Sequence, residues 1–205
     1  MFRRTLILTV IIVVVASVAV VRIAKLRGRG SRPIASERAL AAKANVAVID
    51  LQPDELIAAA NAPAAPEFAK GDWINSDPLT LNQLRGRVVL VEFWTFGCYN
   101  CRNTLPSVKA WDARYRERGL TIVGVHTPET SDEYKIDNVR REVASLEIKY
   151  PVITDNEYKT WNAYGVEAWP TLFVLDKLGH VRWKHVGEGR YGETEDVIKN
   201  LLAEK

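Results

Sequence analysis

Hydrophobic positions change their pattern along the chain. Residues 5–21 form an uncharged block rich in Ile, Val and Leu with no polar face. At 17 residues it sits at the short end of the roughly 17–25 needed to cross a bilayer, and it predicts a membrane-spanning helix. From residue 87 onward, strand-length runs alternate with helical spacing. Residues 87–94 are almost continuously apolar, as in a strand covered on both faces. Residues 98–118 repeat apolar positions at Leu105, Val108, Trp111 and Tyr115, and Gly119 follows as a stop. Residues 120–125 read as a strand, and 130–146 as a helix opened by Thr130 and Glu133 in a capping box. A short strand at 152–154, a short helix at 158–164, a hairpin of 171–175 and 180–184, and a last helix over 193–202 complete the pattern. The alternation predicts an α/β layered domain.

Composition narrows this further. With 47% apolar and 26% charged residues, a wholly disordered or collagen-like chain is excluded. The net charge of +3 is uneven: residues 1–66 carry nine Lys/Arg against four Asp/Glu, and the remainder nineteen against twenty-one. The bulk of the chain therefore has no electrostatic footprint for nucleic acid. Arg3 and Arg4 precede the apolar block; Arg22, Lys25, Arg27, Arg29 and Arg32 follow it. A cleaved signal peptide would use Ser17, Val18 and Ala19 as its small-residue site, but would leave a new terminus opening on a basic cluster. An uncleaved signal anchor is the preferred reading. We expect an anchor over residues 1–24, a flexible linker over 25–66 containing Gly28, Gly30, Ser31 and Pro33, and a folded domain over 67–205. Counted alone, the flanking charges would leave that domain on the cytoplasmic side.

The chemistry concentrates at the two cysteines, Cys98 and Cys101, the only ones in the chain. Two cysteines exclude a multi-disulfide scaffold and a zinc site of cysteines alone. Haem attachment needs a histidine after the second cysteine, and residue 102 is Arg. His126, His180 and His185 have no paired spacing typical of zinc, so no metal is expected. The pair lies after a strand run and opens a helical pattern. Unsatisfied N–H groups and the dipole at a helix start favour an anion, which lowers the pKa of the first thiol. A two-residue gap lets Cys101 reach a mixed disulfide formed at Cys98.

Together with Glu92, Phe93, Trp94, Pro106, the stretch 108–111, the stretch 123–129 and Tyr164 through Thr171, the Cys-x-x-Cys pair resembles the thioredoxin superfamily. The likeness is to membrane-tethered oxidoreductases of the TlpA/ResA type, and most of all to the thioredoxin-like domain of DipZ-type proteins. It implies a thioredoxin-like α/β fold, a central mixed sheet flanked by helices, with an extra helix and strand within about residues 127–154. It implies that Cys98 is the nucleophile, Cys101 the resolving cysteine, and Glu92 a buried acid with a raised pKa. It also implies that Pro170 is a cis proline facing the pair, with Trp169, Tyr99 and Asn100 meeting substrate and Trp94 and Pro106 structural. No cofactor beyond the redox-active Cys98–Cys101 disulfide is implied. The expected partners are protein thiols and disulfides and a membrane electron donor of the CcdA/DsbD type, with the domain outside the cytoplasm. Tyr99 and Asn100 replace the Gly-Pro of thioredoxin, leaving the direction of electron flow open. Two alternatives stand beside this. Thr95 and Cys98 spell the T-x-x-C of peroxiredoxin-like thiol peroxidases, although residue 91 is Val where that family has proline. The third reading is a non-catalytic binding module.

Overall fold

A computed structural model describes residues 51–204. Six strands form one sheet: β1 (Trp73–Ile74), β2 (Val88–Trp94), β3 (Leu120–His126), β4 (Val152–Thr154), β5 (Thr171–Leu175) and β6 (Val181–Val186), in the order β1-β4-β3-β2-β5-β6. β2, β3 and β4 run parallel, whereas β5, β6 and β1 pair antiparallel with their neighbours. The helices are α1 (Tyr99–Tyr115), α2 (Ile136–Ser145), α3 (Lys159–Ala163) and α4 (Tyr191–Ala203).

β2 is central, and all seven of its residues are buried. Successive side chains alternate between two cores. Val88, Leu90 and Trp94 join Leu105, Val108 and Trp111 of α1, Val139 and Val143 of α2, and Val197, Ile198 and Leu201 of α4. Val89, Val91 and Phe93 face the other way, onto Trp161, Tyr164, Val166 and Leu84. Fully burying a side chain of this size contributes about 1.5–3 kcal/mol, so the two layers dominate stability.

Most of the expected elements are present, with α2 and β4 filling the inserted stretch. Three differ from the sequence reading. The helix expected over 130–146 begins only at Ile136: Glu133 reaches back to the Thr130 N–H as a capping box would, but its carboxylate also takes the N–H groups of Glu129 and Gly97, and residues 131–134 form turns. β1 was not expected; two residues give too short a pattern to read. Residues 51–66, expected as linker, lie along β6: Asp54 N donates to the Lys184 carbonyl, Ile57 N to that of Arg182, and Val181 N to that of Pro63. Among the described residues no helix is long and apolar enough to cross a membrane. The expected span and the first part of the linker lie outside the described residues.

Candidate active site

β2 delivers the chain to the site. At its end Thr95, Phe96 and Gly97 turn into α1, with Cys98 as the N-cap residue. Its Sγ accepts the Cys101 N–H at 3.2 Å, the bond a capping oxygen would make. Cys98 and Cys101 are joined as a disulfide, Cα to Cα 5.3 Å. The two sulfurs differ in access: Cys98 is half-buried and Cys101 fully buried. Tyr99 is 76% exposed beside them, and Asn100 is exposed, its carbonyl accepting the Thr104 hydroxyl. Pro106 lies within α1.

Glu92 is fully buried in β2, on the face that α1 covers. Its Oε2 accepts the Tyr150 hydroxyl at 2.8 Å, and Oε1 has no partner. Burial pushes the carboxyl up and the Tyr150 bond pulls it back, leaving a pKa of about 7. Gly124 lies opposite Glu92 in β3; a Cβ there would stand 2.9 Å from Trp94 Nε1 and 3.2 Å from Tyr150 Cε2. Trp94 is fully buried, its ring 5.3 Å from His126 and edge-on to it.

The Trp169–Pro170 bond is cis. β5 starts at the next residue, and Thr171 pairs with Phe93, so Pro170 lies by the end of β2 that leads to Cys98. Pro170 is buried, and its carbonyl accepts Gly187 N–H. Trp169 is half-buried, packs with both cores, and lies 4.3 Å from Trp161.

A second cluster sits beneath the Cys98 loop. Glu133 Oε1 accepts Gly97 N–H at 2.9 Å, and its Oε2 accepts those of Glu129 and Thr130 at 2.6 and 2.8 Å. Burial would raise this carboxyl; the N–H groups of Thr130 and Glu129, the Thr95 hydroxyl and the Gly97 N–H outweigh it and hold it below the usual range. Thr95 Oγ1 lies 3.2 Å from His126 Nε2. His126 is fully buried and stacks on Phe96, and burial lowers its pKa to about 4, so it is neutral at physiological pH.

The structure thus places Cys98, Cys101, Glu92, Trp94 and Pro170 around one strand end. Sequence reasoning missed Tyr150 and the loop role of Glu133. Tyr150 stands before Pro151, a pair that marks extended backbone but gives no hint of a partner 58 residues away.

A family model described as the AhpC/TSA family matches residues 62–184. The chain belongs to the AhpC/TSA family. This AhpC/TSA-family chain is 41% identical over 133 residues to the protein DipZ of Mycobacterium bovis, a match covering 63% of the chain and 19% of DipZ. It thus spans about a fifth of that relative. It is 29% identical to the thiol-disulfide oxidoreductase ResA of Bacillus thuringiensis, over 67% of the chain and 76% of ResA. It is 28% identical to the thiol-disulfide oxidoreductase YkuV of Bacillus subtilis, over 64% and 88%. Among solved structures it resembles the thioredoxin-like superfamily protein SPOA0173, with a TM-score of 0.66 at 29% identity, over 70% of the chain and 99% of that one. A thiol:disulfide interchange protein of the thioredoxin family from Chlorobium tepidum gives 0.59 at 25%, over 76% and 100%. This AhpC/TSA-family chain has a thioredoxin-like α/β fold, the fold of relatives that are named thiol-disulfide oxidoreductases.

Proposed function

We propose that the chain reduces protein disulfides outside the cytoplasm through Cys98 and Cys101, tethered by the apolar block at residues 5–21. The carrying observation is the asymmetry of the pair: a half-buried sulfur capping a helix, and a fully buried one behind it on the face that holds Glu92. The Cys98 thiolate, favoured by the amides of the first turn of α1, attacks a substrate disulfide. A mixed disulfide forms and one substrate thiol leaves. Cys101 gives its proton to Glu92 and attacks Cys98 Sγ, releasing the second substrate thiol. The substrate gains two electrons, the pair loses two, and the Cys98–Cys101 disulfide must then be reduced by a dithiol donor, such as a CcdA/DsbD-type membrane carrier. A carboxyl with a pKa of about 7 can take and return that proton near neutrality.

The Trp169 main chain makes no hydrogen bond among the described residues, which leaves it available to pair with an extended substrate segment. Tyr99, Asn100 and Trp169 would flank that segment, with Pro170 fixing the turn beneath it. The tether, the domain division and the extracytoplasmic side rest on the sequence pattern and on the resemblance to membrane-tethered oxidoreductases.

Two measurements test this reading. Reduction of insulin disulfides by the dithiol protein supports it. Peroxide consumption without insulin reduction would favour the thiol peroxidase, and neither activity a binding module. Labelling of Cys98 in intact cells by a membrane-impermeant thiol reagent supports the extracytoplasmic side; protection until lysis contradicts it.

A further inference from the structure

The β3–β4 connection carries a hydroxyl back to the buried acid. Tyr150 is fully buried and anchored independently of Glu92. Asn75 Nδ2 donates to the carbonyls of Ile148 and Tyr150 at 2.9 and 3.1 Å, and Gly124 N–H to that of Pro151 at 2.9 Å. The missing side chain at Gly124 leaves room for the ring. We propose that Tyr150 is a positioning residue for the thiol chemistry, its hydroxyl holding the Glu92 carboxyl in one orientation on the face shared with Cys101.

The proposal deepens the oxidoreductase reading and rests on it. Tyr150 occupies Oε2, so Oε1, which has no partner, is the oxygen open to a travelling proton. Burial and the neighbouring carboxyl push the Tyr150 phenol well above its ordinary range, so it stays a donor throughout the working pH. Other polar or titratable groups bear on this face. Cys101 and Asp112 come from α1, His185 from β6 in register with Leu172 and Glu92, and Trp94 from β2 itself. None of these makes a hydrogen bond to the carboxyl, whereas Tyr150 does. A hydroxyl donated to a carboxylate favours its charged form, so losing it must raise the pH at which Glu92 releases its proton.

The test is an NMR titration of the Glu92 carboxyl carbon in the reduced protein, alongside the pH profile of disulfide exchange. Tyr150→Phe is expected to move the Glu92 midpoint up by about one pH unit, with the acidic limb of the exchange rate moving alike. In a Glu92→Gln background, Tyr150→Phe should leave the profile unchanged. A fluorinated tyrosine at position 150, a stronger donor, should move the midpoint down and serves if the phenylalanine variant does not fold. An unmoved midpoint, or a Tyr150→Phe effect that persists undiminished in Glu92→Gln, overturns the proposal. Absence of any exchange by the unmodified chain would sink the oxidoreductase reading, while the carboxyl titration would still decide the hydrogen bond.

Discussion

Glu133 Oε1 accepts the backbone N–H of Gly97 at 2.9 Å, one residue before Cys98. A carboxylate from the β3–β4 connection therefore grips the loop that presents the first sulfur. A Cβ at position 97 would fall 2.4 Å from that oxygen, so the grip requires glycine.

Gly97→Ala should destabilise the fold by about 1–3 kcal/mol by pushing the Glu133 carboxylate off its N–H partners. Glu133→Gln keeps the shape but has one acceptor oxygen for three N–H groups, and should cost about 1–3 kcal/mol. Urea unfolding measures both; losses below about 0.5 kcal/mol, the range of ordinary surface substitutions, would remove Glu133 from the support of the loop.

Glu92 and His126 are both buried, and their proton equilibria move in opposite directions, to about 7 and about 4. Between about pH 4.5 and 7 the folded chain keeps a Glu92 proton that the unfolded chain has released, so this contribution to stability grows as pH falls. Between about 4 and 6.5 the unfolded chain binds a His126 proton that the folded chain does not, so that contribution shrinks as pH falls. Each amounts to about 3 kcal/mol over its full window, and in the shared range they offset one another. Glu92→Gln should therefore lose stability on acidification more steeply than the unmodified chain, and His126→Asn should gain relative to it. Unfolding midpoints at several pH values between 4.5 and 6.5 check this; parallel curves for all three proteins would contradict it.

Gly124→Ala places a methyl 2.9 Å from Trp94 Nε1 and 3.2 Å from Tyr150 Cε2, both on fully buried rings. We expect a loss of about 1–3 kcal/mol and a displaced Tyr150. Thermal unfolding and the tyrosine ring signals report the two effects; unchanged values for both would mean that β3 tolerates a side chain there.

The strands and the cysteine pair were legible because their signals are local. The run through residues 88–94 reads as a covered strand, and Glu92 stands out as its one charge. Cys98 and Cys101 carry their geometry in their spacing. Tyr150 and Glu133 were not legible, because their contacts to Glu92 and Gly97 span 58 and 36 residues. Glu133 also fitted a helix-start motif; it makes that motif's bond to the Thr130 N–H, and the long-range partner, Gly97, is the part that local sequence could not show. The attachment of residues 51–66 to β6 is likewise long-range main-chain pairing, invisible in an Ala- and Pro-rich sequence.

The division of labour between the two sulfurs is best tested by trapping. Cys101→Ser, incubated with a disulfide-bonded protein substrate, should accumulate a mixed disulfide through Cys98, because the half-buried sulfur can attack and nothing behind it can resolve. Accumulation of the same species by Cys98→Ser in its place would contradict the assignment.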